Sequence, residues 1–214
     1  MTTSQKLQLP RSALAKVPRQ RRSIEMVHAI LDAAKRVLET EGLVAFTTNR
    51  VAEVAGVSVG SLYQYFPNKD ALLLGVVERG LRMAEEIARE TLSEAPHQDL
   101  EDGLAKVLRS LVAHLAPRRP LLREVLAATP LLAETGFLTV VEGMVRELLA
   151  RLEEGHGVPP PSPAGSFVTV NALAFTFLKW MTDPPPQVDE DAFIATATRM
   201  VTSLRRSTAS GNAS

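Results

Sequence analysis

The sequence predicts an all-α fold of about nine helices, with an N-terminal three-helix head followed by a C-terminal helical bundle. Apolar residues recur at spacings of three and four along most of the 214 residues. No run of alternating apolar and polar residues is long enough for a strand. Breaks rich in proline or glycine at 155–165 and 184–186 separate helical segments.

The first two predicted helices are bounded by residues that suit helix ends. The first runs from Ser23 to Thr40, with Ser23 as its expected N-cap and Gly42 closing its end. The second spans Asn49–Ala55, with Thr48 as its expected N-cap. Gly56 then allows the chain to turn.

A third, short helix and a fourth, long helix follow this turn. Ser58 is expected to cap the third helix, Val59–Phe66, which Pro67 ends. Asn68 is expected to cap the fourth helix, which runs from Lys69 towards Leu92. This long helix would connect the two halves of the chain.

The C-terminal half is expected to be helical to near its end. The predicted segments are Leu100–Leu115, Pro120–Ala127, Pro130–Glu154, Ser166–Met181 and a last helix carrying Phe193, Ala197, Met200, Val201 and Leu204. The Ser166–Met181 helix has no polar face, so both of its sides must be covered. Its own bundle can cover one side, and the last helix supplies part of the cover for the other. Two such helices from each of two copies would form a four-helix interface, which predicts a homodimer; the alternative is a monomer in which this helix is wholly internal.

Composition excludes several classes of protein. The chain has no cysteine, so disulfide scaffolds, thiolate catalysis and zinc sites built from Cys ligands are ruled out. Its first residues lack the apolar segment of a secretory signal. The most apolar stretch, Phe167–Met181, is too short for a bilayer span and contains Asn171 and Lys179. We therefore expect a cytoplasmic protein with no membrane partner.

The net charge of zero is unevenly distributed. Residues 1–22 hold no Asp or Glu and six basic residues, Lys6, Arg11, Lys16, Arg19, Arg21 and Arg22. Residues 1–80 hold eleven basic and seven acidic residues, a net charge of +4, which leaves −4 for the rest. We expect a flexible basic arm that reaches along phosphates or into a minor groove, although a solvated tail would carry the same charge.

Two short helices joined through Ala55-Gly56-Val57-Ser58 have the spacing of a helix-turn-helix. The second helix would enter the major groove of DNA with its N-terminal side chains facing base edges. The candidates nearest the bases are Ser58, Val59, Gly60 and Ser61, with Gln64 one turn further along. Phosphate contact suits Thr48, Tyr63, Tyr65 and Lys69, whereas Leu62 and Phe66 are expected to pack in the core.

The run TTNRVAEVAGVSVGSLYQYFPNKDAL, from Thr47 to Leu72, resembles the DNA-binding signature of the TetR family of bacterial transcriptional regulators. The preceding helix extends the resemblance to roughly residues 20–80. Matched position by position, it implies the same phosphate-contacting and base-reading residues as the helix-turn-helix geometry. It further implies a dimer on a palindromic operator, released when a small ligand enters the C-terminal half.

A second motif competes at the same place. Gly56-Val57-Ser58-Val59-Gly60 matches the G-x-S-x-G nucleophile elbow of serine hydrolases. That elbow requires a buried strand before the serine, and the segment 50–55 is expected to be a helix. An enzyme is therefore not expected, since no acid, base and nucleophile converge elsewhere.

The C-terminal half offers less specific signals. Polar or large side chains on its apolar helices are candidates to line an effector pocket, and these are His114, Met144, Asn171, Phe175 and Trp180. Each is also compatible with an ordinary place in the core or at the surface. The four histidines do not have metal-ligand spacing, so we expect no metal and no cofactor.

We interpret the chain as a sequence-specific DNA-binding regulator, a repressor released from its operator by a small-molecule effector. The expected domains are a basic arm (1–22), a DNA-binding domain (23–80), a ligand-binding and dimerisation domain (81–206) and a disordered tail (207–214). Two alternatives remain: an activator or architectural protein with the same head, and an all-helical ligand carrier or adaptor without specific DNA binding.

Overall fold

A computed structural model describes residues 13–94, 99–127, 137–158 and 160–210. These ranges contain α-helices and one short 3-10 helix, with no strand, which confirms the predicted all-α class. The helices are α1 (Arg21–Ala45), α2 (Thr48–Ala55), α3 (Val59–Tyr63), α4 (Lys69–Glu94), α5 (Leu100–Leu115), α6 (Arg119–Ala127), α7 (Phe137–Gly155), α8 (Pro163–Thr182) and α9 (Glu190–Ser210), with the 3-10 turn at Ala116–Arg118. In the described part of the chain, no helix has both the length and the hydropathy to cross a membrane.

The described residues divide into two compact units. The first, here called the head, is drawn from Met1–Arg82 and Leu121–Phe137, and the second unit from Met83–Pro120 and Leu138–Ser214. The break at residue 82 lies close to the predicted boundary at 80. The sequence placed all of α6 in the C-terminal domain, whereas its residues from Leu121 onward belong with the head.

The first helix begins earlier than the sequence predicts. It starts at Arg21 with Gln20 as N-cap, so the prediction that Ser23 caps it is wrong. Ser23 lies inside the first turn, where its hydroxyl donates to the Gln20 carbonyl at 2.7 Å, and Arg21 pairs with Glu25 across one turn. Gly42 has a φ of 77° and interrupts the helix where its end was expected.

The core of the head is formed by apolar side chains from α1 to α4. Those with essentially no exposed surface include Val27, Ile30, Leu31, Phe46, Val51, Leu62, Phe66 and Leu72. Leu62 and Phe66 are each 0% exposed, which confirms their predicted place in the core. Burial of side chains of this size contributes about 1.5–3 kcal/mol each, enough to fix short helices in position.

The segment that precedes α1 is packed against the head. Ala13 and Leu14 are 3% and 9% exposed, Pro18 is also buried, and the Ala15 N–H donates to the Tyr65 carbonyl at 2.9 Å. The predicted flexible arm is therefore wrong for residues 13–20, because Ala13, Leu14 and Pro18 are buried and the backbone is bonded to Tyr65. Residues 1–12 lie outside the described part of the chain.

The second unit has its core between α5, α7, α8 and α9. Trp180 on α8 stacks on Phe193 of α9 with ring centroids 4.6 Å apart, and its indole N–H donates to the Val188 carbonyl at 3.2 Å. The guanidinium of Arg119 lies 4.8 Å from the centre of the Trp180 ring, in a cation–π contact.

The last helix continues to Ser210, so the predicted disordered tail is wrong for residues 207–210. Residues 211–214 lie outside the described part of the chain.

A buried ion pair joins α7 to α9. Arg205 Nη2 lies 2.8 Å from Glu153 Oε1, and the two side chains are only 4% and 8% exposed. Burial raises the pKa of Glu153 and lowers that of Arg205, while their mutual attraction opposes both shifts. The pair therefore fixes how the last helix packs, although it need not add net stability.

We predict that breaking this pair destabilises the protein more than replacing it. Arg205→Ala or Glu153→Ala alone should lower the free energy of unfolding by about 3–5 kcal/mol, because each leaves a buried charge without its partner. The double change Arg205→Met with Glu153→Leu should recover most of that stability. Urea unfolding followed by the fluorescence of Trp180, the single tryptophan, measures all three variants. Equal destabilisation of the single and double variants would contradict the prediction.

Candidate nucleic-acid interface

The start of α2 differs from its predicted form by one residue. Thr47, not Thr48, is the N-cap, and its hydroxyl accepts a hydrogen bond from the Arg50 N–H at 3.1 Å. Thr48 becomes the first helical residue, and its Oγ1 lies 3.0 Å from the Tyr63 hydroxyl. The correction matters because it leaves Thr48 available to join the starts of α2 and α3.

The turn between α2 and α3 follows the sequence closely. Gly56 takes a φ of 67°, and the Val57 N–H donates to the Ala52 carbonyl at 3.0 Å, which closes α2. Ser58 then caps α3, as predicted, because its hydroxyl accepts from the Ser61 N–H at 3.0 Å. The helical segment is shorter than predicted, since α3 ends at Tyr63, although the Phe66 N–H still bonds the Leu62 carbonyl at 2.9 Å.

One face of the α3 segment is exposed and uncharged. Ser58, Val59, Gly60, Tyr63 and Gln64 are exposed and Ser61 is half-buried, whereas Leu62 points into the core. Hydroxyl, amide and aromatic groups on a short exposed helix can donate to and accept from base edges and phosphates. The structure therefore brings six of the nine predicted DNA-binding residues onto one surface, with Thr48 hydrogen-bonded to Tyr63 beside it.

The other two predicted contacts, Tyr65 and Lys69, are more enclosed. Tyr65 is 7% exposed, so most of its ring packs against the head. Lys69 is half-buried. Its ammonium group donates to the Leu43 carbonyl at 3.2 Å and lies 6.0 Å from the centre of the Phe46 ring. Lys69 therefore supports the loop that leads into α2, and a direct phosphate contact by either residue stays a prediction.

A three-residue ionic network braces α2 against the end of α1. Arg50 makes hydrogen bonds to both carboxylate oxygens of Glu41, at 3.0–3.1 Å from its Nε, and to Glu53 at 2.8 Å from its Nη1. The hydrogen bond from Arg50 lowers the pKa of Glu41, and the two carboxylates raise the pKa of Arg50. Because these carboxylates already neutralise it, Arg50 positions α2 rather than offering a free charge.

The same loop is held from the other side by α6. The Leu43 N–H donates to Glu124 Oε2 at 3.0 Å, and the same carboxylate oxygen would lie 3.5 Å from a Cβ placed on Gly42. Leu43 thus receives a hydrogen bond from Lys69 at its carbonyl and gives one to Glu124 from its amide. Four residues later the chain reaches the cap of α2. The sequence did not identify Thr47 as the cap of α2 or Glu124 as the acceptor of the Leu43 N–H. Only the cap had a local signal, because Thr47 lies next to the expected cap Thr48.

Comparison with known proteins identifies the same helix-turn-helix. The sequence profile described as "Bacterial regulatory proteins, tetR family" matches residues 30–76, which span most of α1, all of α2 and α3, and the start of α4. The HTH-type transcriptional regulator EthR of Mycolicibacterium smegmatis is 27% identical over 197 residues, covering 86% of this chain and 90% of that protein. EthR of Mycobacterium tuberculosis is 36% identical over 87 residues, covering 38% and 40% of the two chains.

Residues 30–76 carry the DNA-binding helix-turn-helix of the TetR family. The chain is a helix-turn-helix DNA-binding regulator, and the relatives named above are regulators rather than enzymes. Among solved structures, Thermus thermophilus FadR, a TetR-family transcriptional repressor in complex with lauroyl-CoA, has a TM-score of 0.59. It is 22% identical and the match covers 84% of this chain and 92% of that one, a likeness of fold.

The second unit contains a largely apolar cleft. Its cavity volume is about 20 Å³, so the cleft is narrow and partly open to solvent. Its apolar lining comes from α4, α5 and α7, and comprises Ala84, Ala88, Leu92, Leu111, Met144 and Leu148. Two ion-paired arginines, Arg89 and Arg151, lie at the same cleft with Glu85 and Glu147.

Only one of the five predicted pocket residues lines this cleft, and it is Met144. Trp180 is enclosed in the aromatic stack with Phe193, and Phe175 is 71% exposed on α8. The Asn171 amide donates to the Phe167 carbonyl at 2.9 Å, and His114 is half-buried near the end of α5. The structure therefore does not bring these five residues together. The sequence could not predict this, because it does not show which side of an apolar helix faces a cavity. Within the described ranges, no three His, Asp or Glu side chains are grouped to hold a metal ion.

We predict that position 60 separates folding from DNA binding. A Cβ added to Gly60 would meet only the Ser58 hydroxyl, at 3.9 Å, so Gly60→Ala should fold normally and gain up to about 1 kcal/mol from its helical propensity. Gly60→Leu should also fold but no longer bind operator, because its side chain would hold α3 away from the groove floor. Thermal melting and fluorescence anisotropy with labelled operator DNA measure the two effects. Operator binding by Gly60→Leu at wild-type strength would show that this face does not meet DNA.

Proposed function

We propose that this regulator is a repressor that binds a palindromic operator as a homodimer and is released by a small-molecule effector. The observation that carries the proposal is the exposed polar face of α3, set by the Ser58 cap and joined to α2 by the Thr48–Tyr63 hydrogen bond. Such a face suits major-groove contacts. Ser58, Val59, Gly60, Ser61 and Gln64 would meet base edges, and Thr48 and Tyr63 would hold phosphates.

The proposed dimer would form through α8 and α9. Phe167, Val168 and Phe175 are 65%, 50% and 71% exposed on α8, although the helix is apolar along most of its length. Exposed aromatic rings in one row favour a contact with another apolar surface. The symmetric partner that a palindromic operator requires supplies one, since a two-fold axis brings the same patch of each copy together.

The proposed effector site is the cleft lined by Met144. The cleft has an apolar lining and four charged side chains at its edge or wall. This combination suits a small molecule that has an apolar body and a polar end. Two arginines, Arg89 and Arg151, and two glutamates, Glu85 and Glu147, line the cleft, so its net charge is zero and charge does not select an anion or a cation.

The proposed switch acts on the spacing of the two recognition helices, which must match half-sites about 34 Å apart. An effector that binds one arrangement more tightly shifts the equilibrium towards it. α4 contributes residues to both units, and α6 carries Glu124, which holds the loop before α2. An effector that weakens operator affinity without changing the separation of the two heads would contradict this proposed switch.

The test of the proposed function is selection of bound duplexes from a random DNA pool by the purified protein at two salt concentrations. An enriched palindrome is expected. Tyr63→Phe, which removes the hydroxyl bonded to Thr48, should weaken binding to that palindrome, and Tyr63→Ala should weaken it further. Salt-sensitive binding without an enriched sequence would indicate an architectural role. An absence of binding would favour the ligand carrier or adaptor.

We further predict that the cleft binds an apolar probe. The fluorescent dye 1-anilinonaphthalene-8-sulfonate should bind the folded protein by widening the cleft, whose cavity volume is about 20 Å³. Ala88→Phe should remove most of the signal by filling the cleft. Ala88 is 6% exposed and lines the cleft, whereas Ala150, on the exposed face of α7, provides the matched control Ala150→Phe. Equal dye signals in both variants would show that the cleft does not take the probe.

A further inference from the structure

The recognition surface of the head offers no free positive charge of its own. α3 contains no Lys or Arg. Lys69 is bonded to the Leu43 carbonyl, and Arg50 is held between two carboxylates. Since DNA affinity depends largely on neutralised phosphates, the cations that supply it must lie elsewhere on the head.

Within residues 13–82, three exposed cations have neither an ion pair nor a hydrogen bond with any described residue, and they lie close together in the chain. They are Lys16, Arg19 and Arg22. The other Lys and Arg side chains in residues 13–82 have a carboxylate or carbonyl partner, namely Arg21, Lys35, Arg36, Arg50, Lys69, Arg79 and Arg82. Within residues 13–82, the cations without a partner therefore lie in the segment that leads into α1 and in the first turn of α1.

This segment is fixed beside the recognition helix. The Ala15 N–H donates to the carbonyl of Tyr65, two residues after α3 ends, and Ala13 and Leu14 are buried immediately before it. Lys16 directly follows the bonded residue, and Pro18 is buried between it and Arg19. Burial of Ala13, Leu14 and Pro18 on either side of Lys16 therefore anchors the backbone that carries these charges.

We propose that residues 13–22 form a docked phosphate clamp, in which Lys16, Arg19 and Arg22 bind the DNA backbone next to the groove that α3 enters. This inference rests on the proposed operator binding and adds where its electrostatic affinity arises. Because docking orders the cations before DNA arrives, less conformational entropy is lost on binding than with a free tail. The uncharged face of α3 is then left to read the bases.

Salt titration of operator binding by the full chain tests the charges. In the variant with Lys16→Ala, Arg19→Ala and Arg22→Ala, the slope of log affinity against log salt should become shallower by about 0.9 for each phosphate that is no longer neutralised, roughly three per protomer. Affinity for unrelated duplexes should fall in parallel. The matched control is Arg146→Ala with Arg199→Ala, two exposed arginines of the second unit, and its slope should equal that of the wild type.

A second variant tests docking with every charge retained. Leu14→Ser with Ala15→Pro removes the buried side chain and the N–H donor to Tyr65, and it should lower operator affinity at least roughly tenfold and make the salt slope shallower. Leu14→Met should behave as wild type. Thermal melting followed by circular dichroism verifies that each variant is folded.

The outcomes separate the two proposals. An unchanged salt slope in the triple variant overturns the clamp, and wild-type affinity in the docking variant overturns its fixed position, while operator selection by the wild type stands in both cases. If the wild type selects no DNA at any salt concentration, the proposed function and the clamp both fail.

Discussion

The DNA-facing surface of the head depends on the burial of Leu62 and Phe66. α3 has five residues, and a helix of that length has no stability of its own in water. It exists because these two side chains, each without exposed surface, fix it to the core formed by α1, α2 and α4. The Ser58 cap and the turn at Gly56 then set its direction. Every position expected to read a base is placed by these apolar contacts.

Around that core, polar contacts converge on the loop between α1 and α2. Leu43 is bonded through its carbonyl to Lys69 and through its amide to Glu124, while Arg50 joins Glu41 at the end of α1 to α2. Most of these groups are partly exposed, so each contributes little to the free energy of folding. Their value lies in position, since they fix where α2 begins. A displacement of α6 would act on this loop directly through Glu124.

Charge and recognition are carried by different parts of the head. The exposed α3 face is polar and uncharged, and the free cations lie in residues 16–22. In the second unit, the buried Arg205–Glu153 pair fixes α9, and α8 carries the exposed apolar row. The structure thus separates a surface suited to phosphates, a surface suited to bases, an apolar surface suited to a second copy and a cleft suited to a small molecule.

The sequence by itself determined the helical class, the turn at Gly56, the caps at Ser58 and Asn68, and the core role of Leu62 and Phe66, because these depend on residue type and local spacing. It misplaced the caps Ser23 and Thr48 by assigning each helix start from one residue without its neighbours. Tertiary structure alone decided that residues 13–20 dock, that Glu124 holds Leu43, and that Met144 lines a cleft while Trp180 does not. These depend on which side of an apolar segment meets a surface formed by residues distant in the chain, and local periodicity carries no information about that choice.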